Sequence, residues 1–175
     1  MMDIYIPDMY SKSIYHINYD KLKEDGIKCI LFDLDNTIIP YKEKTPSKKL
    51  IDLIENLKDM EFKIIIFDNT NKKRLLPFKR QLDIDCAPNA KKPSIEKLIK
   101  IIKEYKYDLS EVALVGDELY RDIYGGNKAG IKTILVNSIS NKDSLKTKFY
   151  RIFEKKIINK LNKIVTININ INSKI

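Results

Sequence analysis

Residues 27–37 read IKCILFDLDNT. Ile30, Leu31 and Phe32 form an unbroken apolar run, as expected of a strand covered on both faces within a parallel sheet. The strand is expected over residues 27–35, with Asp33 and Asp35 at its end. Side chains alternate along a strand, so carboxylates two residues apart point the same way. Close carboxylates repel one another unless a cation neutralises them. The pair therefore calls for a hard divalent ion with oxygen ligands, Mg2+ above all.

On the C-terminal side of this segment, strand-then-helix units repeat. Pro46 and Ser47 open a helix carrying Leu50, Leu53, Ile54 and Leu57 at helical spacing. A second strand, KIIIFDN, spans 63–69 and is followed by a basic helix over 72–82. A short strand at 84–87 leads to Lys91, Lys92 and Pro93, and Pro93 with Ser94 starts a helix holding Ile95, Leu98, Ile99 and Ile102. The fourth strand is EVALVGD at 111–117; a helix from Leu119 is expected to end near Gly125 and Gly126. The fifth strand is IKTILVN at 131–137. This alternation predicts an α/β fold, a parallel five-stranded sheet with helices on both faces.

Polar residues gather at the expected C-terminal strand ends, the edge where open α/β sheets bind ligands. They are Asp33 and Asp35 with Thr37; Asp68-Asn69-Thr70; Lys92; and Gly116-Asp117 with Asp122 five residues on. Asp117 and Asp122 supply further acidic ligands. A lysine such as Lys92 neutralises a phosphoryl group and keeps a nucleophile ionised. N–H groups and small polar side chains at a turn such as 68–70 hold phosphate oxygens. Singly, each feature is common in turns and caps. In order, each at a strand end, they point to phosphate chemistry.

The chain has 175 residues, which suits one domain with its own core. Hydrophobic residues make up 43% and charged residues 33%, which excludes the disordered and fibrous classes. Cys29 and Cys86 form no CxxC pair and read as small core residues of a reducing compartment. The single histidine, His16, cannot build a histidine metal site. No apolar run approaches the roughly 18 residues of a membrane span. The start, MMDIYIPDMY, lacks the basic-then-apolar order of a secretory signal. The expected location is cytoplasmic, extending to a peripheral position on the inner face of the membrane.

The net charge of +9 favours anionic partners. Much of it falls in residues 145–164, where Leu145, Phe149, Ile152, Phe153, Ile157, Leu161 and Ile164 alternate with seven Lys or Arg and one Glu. This is expected to be a basic amphipathic helix, either packed on the sheet or docked on an anionic surface. The tail, 165–175, alternates Val or Ile with Thr or Asn as far as Asn172 and reads as a strand or a weakly ordered extension.

Together these motifs resemble the haloacid dehalogenase-like superfamily: DxDxT at Asp33, Asp35 and Thr37, the motif lysine at Lys92, and GDxxxxD from Asp117 to Asp122. FDLDNTI at 32–38, NAKKP at 89–93, GDELYRDIYGGNKAG at 116–130 and PDMYSKSIYHINYDKLKEDGIK at 7–28 resemble the subfamily IIIA phosphatases related to phosphatidylglycerophosphate phosphatase. The resemblance implies a Rossmann-like core without a large cap domain, forming one domain over 1–164. It implies an aspartyl-phosphate mechanism with Asp33 as nucleophile and Asp35 as acid and base. Mg2+ would be held by the Asp33 carboxylate, the Asp35 main-chain carbonyl and Asp117, with Asp122 in support. One position departs from the pattern. The family usually places Ser or Thr where this chain has Asp68, and an ionised Asp cannot donate to phosphate. Either Asn69 or Thr70 takes over, or Asp68 is protonated, or activity is reduced; the reading favoured here is substitution by the neighbours.

Only 34 residues separate Asp33 from Asp68, and 23 separate Asp68 from Lys92, so neither gap holds a lid domain. An open site admits a phosphate on a bulky partner. The leading expectation is therefore a phosphatidylglycerophosphate-type lipid phosphatase acting at a membrane surface. The others are a soluble nucleotide or small-molecule phosphatase and a non-catalytic binder of anionic membrane or nucleic acid. Intact Asp33, Asp35, Lys92 and Asp117 speak against the last.

Overall fold

A computed structural model describes residues 3–140 and 156–159. Six strands form one sheet: β1 (Met9–Ser11), β2 (Cys29–Phe32), β3 (Lys63–Phe67), β4 (Asp85–Ala87), β5 (Val112–Gly116) and β6 (Lys132–Val136). Their spatial order is β1-β6-β5-β2-β3-β4, and every neighbouring pair is parallel. Within residues 3–140 five helices accompany them: α1 (Tyr19–Glu24), α2 (Lys48–Asp59), α3 (Lys72–Leu82), α4 (Glu96–Glu104) and α5 (Tyr124–Ala129).

All four β2 side chains are buried, so the strand is covered on both faces. One face carries Ile30, Phe32, Ile64, Ile66 and Val115 and is covered by Leu22 of α1, Leu50, Ile54 and Leu57 of α2, and Leu75, Phe78 and Leu82 of α3. The other carries Leu31, Ile65, Phe67 and Leu114 under Leu98, Ile101 and Ile102 of α4 and Ala129 of α5. Each large side chain so buried contributes about 2 kcal/mol of transfer free energy. Ser47 caps α2 by accepting from the Leu50 N–H at 3.2 Å, and Asn71 caps α3 by accepting from the Arg74 N–H at 3.1 Å.

Two features differ from the sequence expectation. The sheet has six strands, one more than the pattern indicates. The extra strand, β1, is a three-residue edge element whose side chains are half-buried or exposed, so it leaves no alternation to read. The helix after β5 does not end at Gly125 and Gly126. A π-type turn, Leu119–Ile123, leads into α5, which runs on to Ala129. The glycine serves packing: a Cβ on Gly126 would lie 2.5 Å from Thr133 Cγ2 of β6. Of the expected 145–164 helix, residues 156–159 are helical, with Ile157 buried and Ile158 exposed. The remainder of that segment and the 165–175 tail lie outside the described residues.

β2 and β5 are neighbours, and the connections leaving them run in opposite directions, β2 to β3 and β5 to β6. That reversal opens a crevice at the C-terminal edge. α2 follows β2 after one loop, and α3 alone joins β3 to β4. Among the described residues no lid domain stands over the crevice, and no helix is long and apolar enough to cross a membrane.

Candidate active site

Asp33 follows β2 directly, and its N–H continues the ladder to the Val115 carbonyl at 2.9 Å. Asp117 follows β5, the neighbouring strand. Thr37 donates its hydroxyl to Asp117 Oδ1 at 2.9 Å, which ties the carboxylate after one strand to the loop after the other. Asp122 comes from the π-type turn and is fully buried. Carboxylate oxygens of Asp33, Asp117 and Asp122 lie within 4.8 Å of one another. Three buried carboxylates this close form the hard-oxygen donor set a divalent cation takes. The Asp35 side chain is not among them; its Oδ1 accepts from Arg74 Nη2 at 2.7 Å.

Lys92 completes the cluster. Its Nζ donates to Asp33 Oδ1 at 2.5 Å and to Asp122 Oδ1 at 2.6 Å, and its side chain is 4% exposed. Burial alone would lower this ammonium, but the charges of Asp122, Asp33 and Asp68 outweigh it and hold Lys92 charged, above its ordinary value. Burial pushes the Asp33 carboxyl up, and the Lys92 charge and hydrogen bond more than reverse this, leaving it below the usual carboxylate range. Asp33 is thus kept anionic in a site that would otherwise favour its neutral form. Burial, with Asp33 and Asp117 nearby, pushes Asp122 up to about 7 despite Lys92. Asp35 is raised by burial, against the pull of Arg74.

The segment after β3 is arranged differently from the expectation for Asn69. The Asn69 side chain grips Lys92, with Oδ1 accepting from the Lys92 N–H at 2.7 Å and Nδ2 donating to the Lys92 carbonyl at 3.1 Å. Its amide is spent on placing the lysine. Asp68 is buried. It accepts from the Leu34 N–H at 3.3 Å and from the Thr70 N–H at 2.5 Å, and burial with the Asp33 charge pushes it up to about 7.

Two basic residues escaped the sequence reading. Arg74, in the first turn of α3, reaches Asp35 and the carbonyls of Tyr41 and Glu43. Arg121 pairs through two N–H groups with the buried Glu118 and lowers Asp33 by its charge. A signal for Arg74 exists: side chains in a helix lean toward its N-terminus, so a basic residue in the first turn after β3 leans toward the sheet edge.

A family model described as HAD-hydrolase-like matches residues 89–162, the stretch holding Lys92, Asp117 and Asp122. The probable phosphatase YqeG of Bacillus subtilis (strain 168) is 32% identical over 159 residues, covering 91% of this chain and 92% of that protein. This chain belongs to the haloacid dehalogenase-like phosphatases. Phosphatidylglycerophosphate phosphatase 1, chloroplastic/mitochondrial, of Arabidopsis thaliana is 24% identical, over 77% of this chain and 41% of that protein. The cobalt-bound deoxy-D-mannose-octulosonate 8-phosphate phosphatase (YrbI) from Haemophilus influenzae shares the fold, with TM-score 0.52 at 14% identity, over 78% of this chain and 90% of that one. As a haloacid dehalogenase-like phosphatase, the chain acts on a phosphorylated substrate, and its acidic cluster is placed to hold a divalent cation.

Proposed function

We propose that this phosphatase hydrolyses phosphomonoesters through an aspartyl-phosphate on Asp33, with Mg2+ as cofactor and phosphatidylglycerophosphate-type lipids as substrate. The observation that carries the reading is the placement of Asp33 within hydrogen-bond reach of the buried Lys92 and inside the carboxylate cluster. A carboxylate held ionised by a fixed ammonium is a nucleophile ready to attack.

An Asp33 oxygen attacks phosphorus, and the bond to the leaving oxygen breaks as Asp35 gives that oxygen its proton. Asp35 then takes a proton from the water that attacks phosphorus, and the P–O bond to Asp33 breaks, releasing phosphate. Lys92 balances the charge that builds on the phosphoryl oxygens. The cation would be held by the carboxylates of Asp33 and Asp117 and the Asp35 carbonyl, with Asp122 in support. When bound, Mg2+ screens the repulsion between the phosphoryl anion and Asp33. With Asn69 engaged by Lys92, Thr70 is the neighbour that takes the phosphoryl contact in place of Asp68.

The lipid substrate is supported by the absence of a lid among the described residues and by the likeness to the Arabidopsis thaliana enzyme. The basic 145–164 segment supports it too, since each Lys or Arg near an anionic leaflet contributes about 1 kcal/mol. On this reading residues 1–164 act as one unit, at the inner face of the membrane.

Phosphate release from phosphatidylglycerophosphate vesicles and from glycerol 3-phosphate, with and without Mg2+, tests the proposal. Preference for the vesicles, with flotation on anionic liposomes, is expected. Faster turnover of the soluble ester without flotation would assign a small-molecule phosphatase instead.

A further inference from the structure

We infer that Arg74 is a positioning residue, which fixes the Asp35 carboxylate and ties the Tyr41–Glu43 segment to α3 at the edge of the site. The inference rests on the reading of Asp35 as the acid and base.

Arg74 brings three separate parts of the chain together. Its Nη2 donates to Asp35 Oδ1 at 2.7 Å and to the Tyr41 carbonyl at 3.1 Å, and its Nη1 donates to the Glu43 carbonyl. The Arg74 and Asp35 side chains are only 18% and 22% exposed, so the contact is more than a surface ion pair. The guanidinium is also seated from behind: Arg74 Cζ lies 5.3 Å from the ring centre of Phe78, one turn along α3, and Phe78 is fully buried.

Residues 36–43 form the short connection that leaves β2 beside the nucleophile. Asn36 takes a left-handed backbone with φ of 66° and accepts from the Tyr41 N–H at 3.0 Å. Asn36 thus folds the loop back on itself, and Arg74 fastens it to the opposite wall. A planar fork with several fixed donors can hold a carboxylate and two carbonyls at once, which a lysine ammonium on a flexible stem does poorly. On this inference Arg74 fixes one Asp35 oxygen, and the other would exchange the proton with the leaving group. A general acid held in one orientation and covered from water is what protonation of a poor leaving group requires.

The test compares two leaving groups. An alkyl phosphate, such as glycerol 3-phosphate, must receive a proton as it departs, whereas p-nitrophenyl phosphate releases a stable anion. In Arg74→Ala, kcat on the alkyl ester is expected to fall about 100-fold while the aryl ester loses several-fold at most and KM changes little. Arg74→Lys, which keeps the charge and stem, should fall between. Hydrogen exchange at the amides of residues 41–44 is expected to quicken in Arg74→Ala. That readout does not depend on turnover, and a thermal melt confirms that the variants fold. Equal losses on both esters, or unchanged exchange at 41–44, would overturn the inference. If Asp33→Asn still abolished turnover in that case, the nucleophile reading would stand without it. A wild-type chain that turned over neither ester nor phosphatidylglycerophosphate vesicles in Mg2+ would remove the nucleophile reading and the inference with it.

Discussion

At Gly116 the strand end leaves no space for a side chain, because a Cβ there would collide with the Asp122 carboxyl. Asp122 needs that space to reach Lys92 and to accept from the Glu118 N–H at 3.1 Å. Gly116→Ala is expected to displace Asp122, cutting kcat about 100-fold and costing about 1–3 kcal/mol of stability; steady-state kinetics and a denaturant titration check both. Asp68 is the second position of interest. Its carboxyl lies beside Asp33, where a hydroxyl would repel an incoming phosphate less. Asp68→Ser is expected to raise kcat/KM several-fold, to an extent typical of one added hydrogen bond of about 1 kcal/mol; a fall in kcat/KM would show that the carboxyl itself is used. Asp33, Asp35, Lys92, Asp117 and Asp122 were legible because the family's spacing marks them in order along the chain. Arg74 and the grip of Asn69 on Lys92 were not, because both depend on which loops meet across the crevice.

Elements built from continuous apolar runs were the easiest to read. β2, β3 and β5 are buried on both faces, and their residues are Ile, Val, Leu and Phe with little else. β1 was invisible for the opposite reason: three residues at an edge owe their pairing to β6 and carry no pattern of their own. β4 is short as well, and polar contacts help to hold it. Its Asp85 accepts from Lys63 Nζ of β3 at 2.5 Å and from the Tyr105 hydroxyl at 2.7 Å. The hydrogen bond from Lys63, then that from Tyr105, holds the Asp85 carboxyl below its ordinary value against burial. A depressed folded-state pKa stabilises the fold above the unfolded value of about 4, and that contribution disappears as pH falls through the folded value. Asp85→Asn is therefore expected to cost about 1 kcal/mol at pH 7, a modest figure because both partners are a third exposed. The deficit should shrink as titrations are carried below about pH 4.

Over the whole molecule, the crevice is an acidic pocket in a basic protein. The chain carries +9, yet among the described residues Asp33, Asp35, Asp68, Asp117, Glu118 and Asp122 gather at the site with Lys92, Arg74 and Arg121. This imbalance favours a cation inside and an anionic substrate or surface outside. Mg2+ at 100 times its dissociation constant would add about 2.7 kcal/mol. The melting midpoint should then rise by roughly 5–10 °C, and Asp117→Asn should abolish most of that rise; scanning calorimetry with and without EDTA checks it. The parallel sheet with helices on both faces could be read from strand–helix alternation. The Arg74 clasp could not, since it joins α3 to a loop about thirty residues earlier. The central claim is a covalent phosphoryl group on Asp33, and acid-quenching the enzyme during turnover of a phosphomonoester with Mg2+, followed by peptide mass spectrometry, tests it most directly. The expected result is one phosphoryl group on the peptide containing Asp33, absent in Asp33→Asn, which should also release no phosphate. Sustained phosphate release by Asp33→Asn, or wild-type turnover with the phosphoryl group trapped on a different residue, would contradict it.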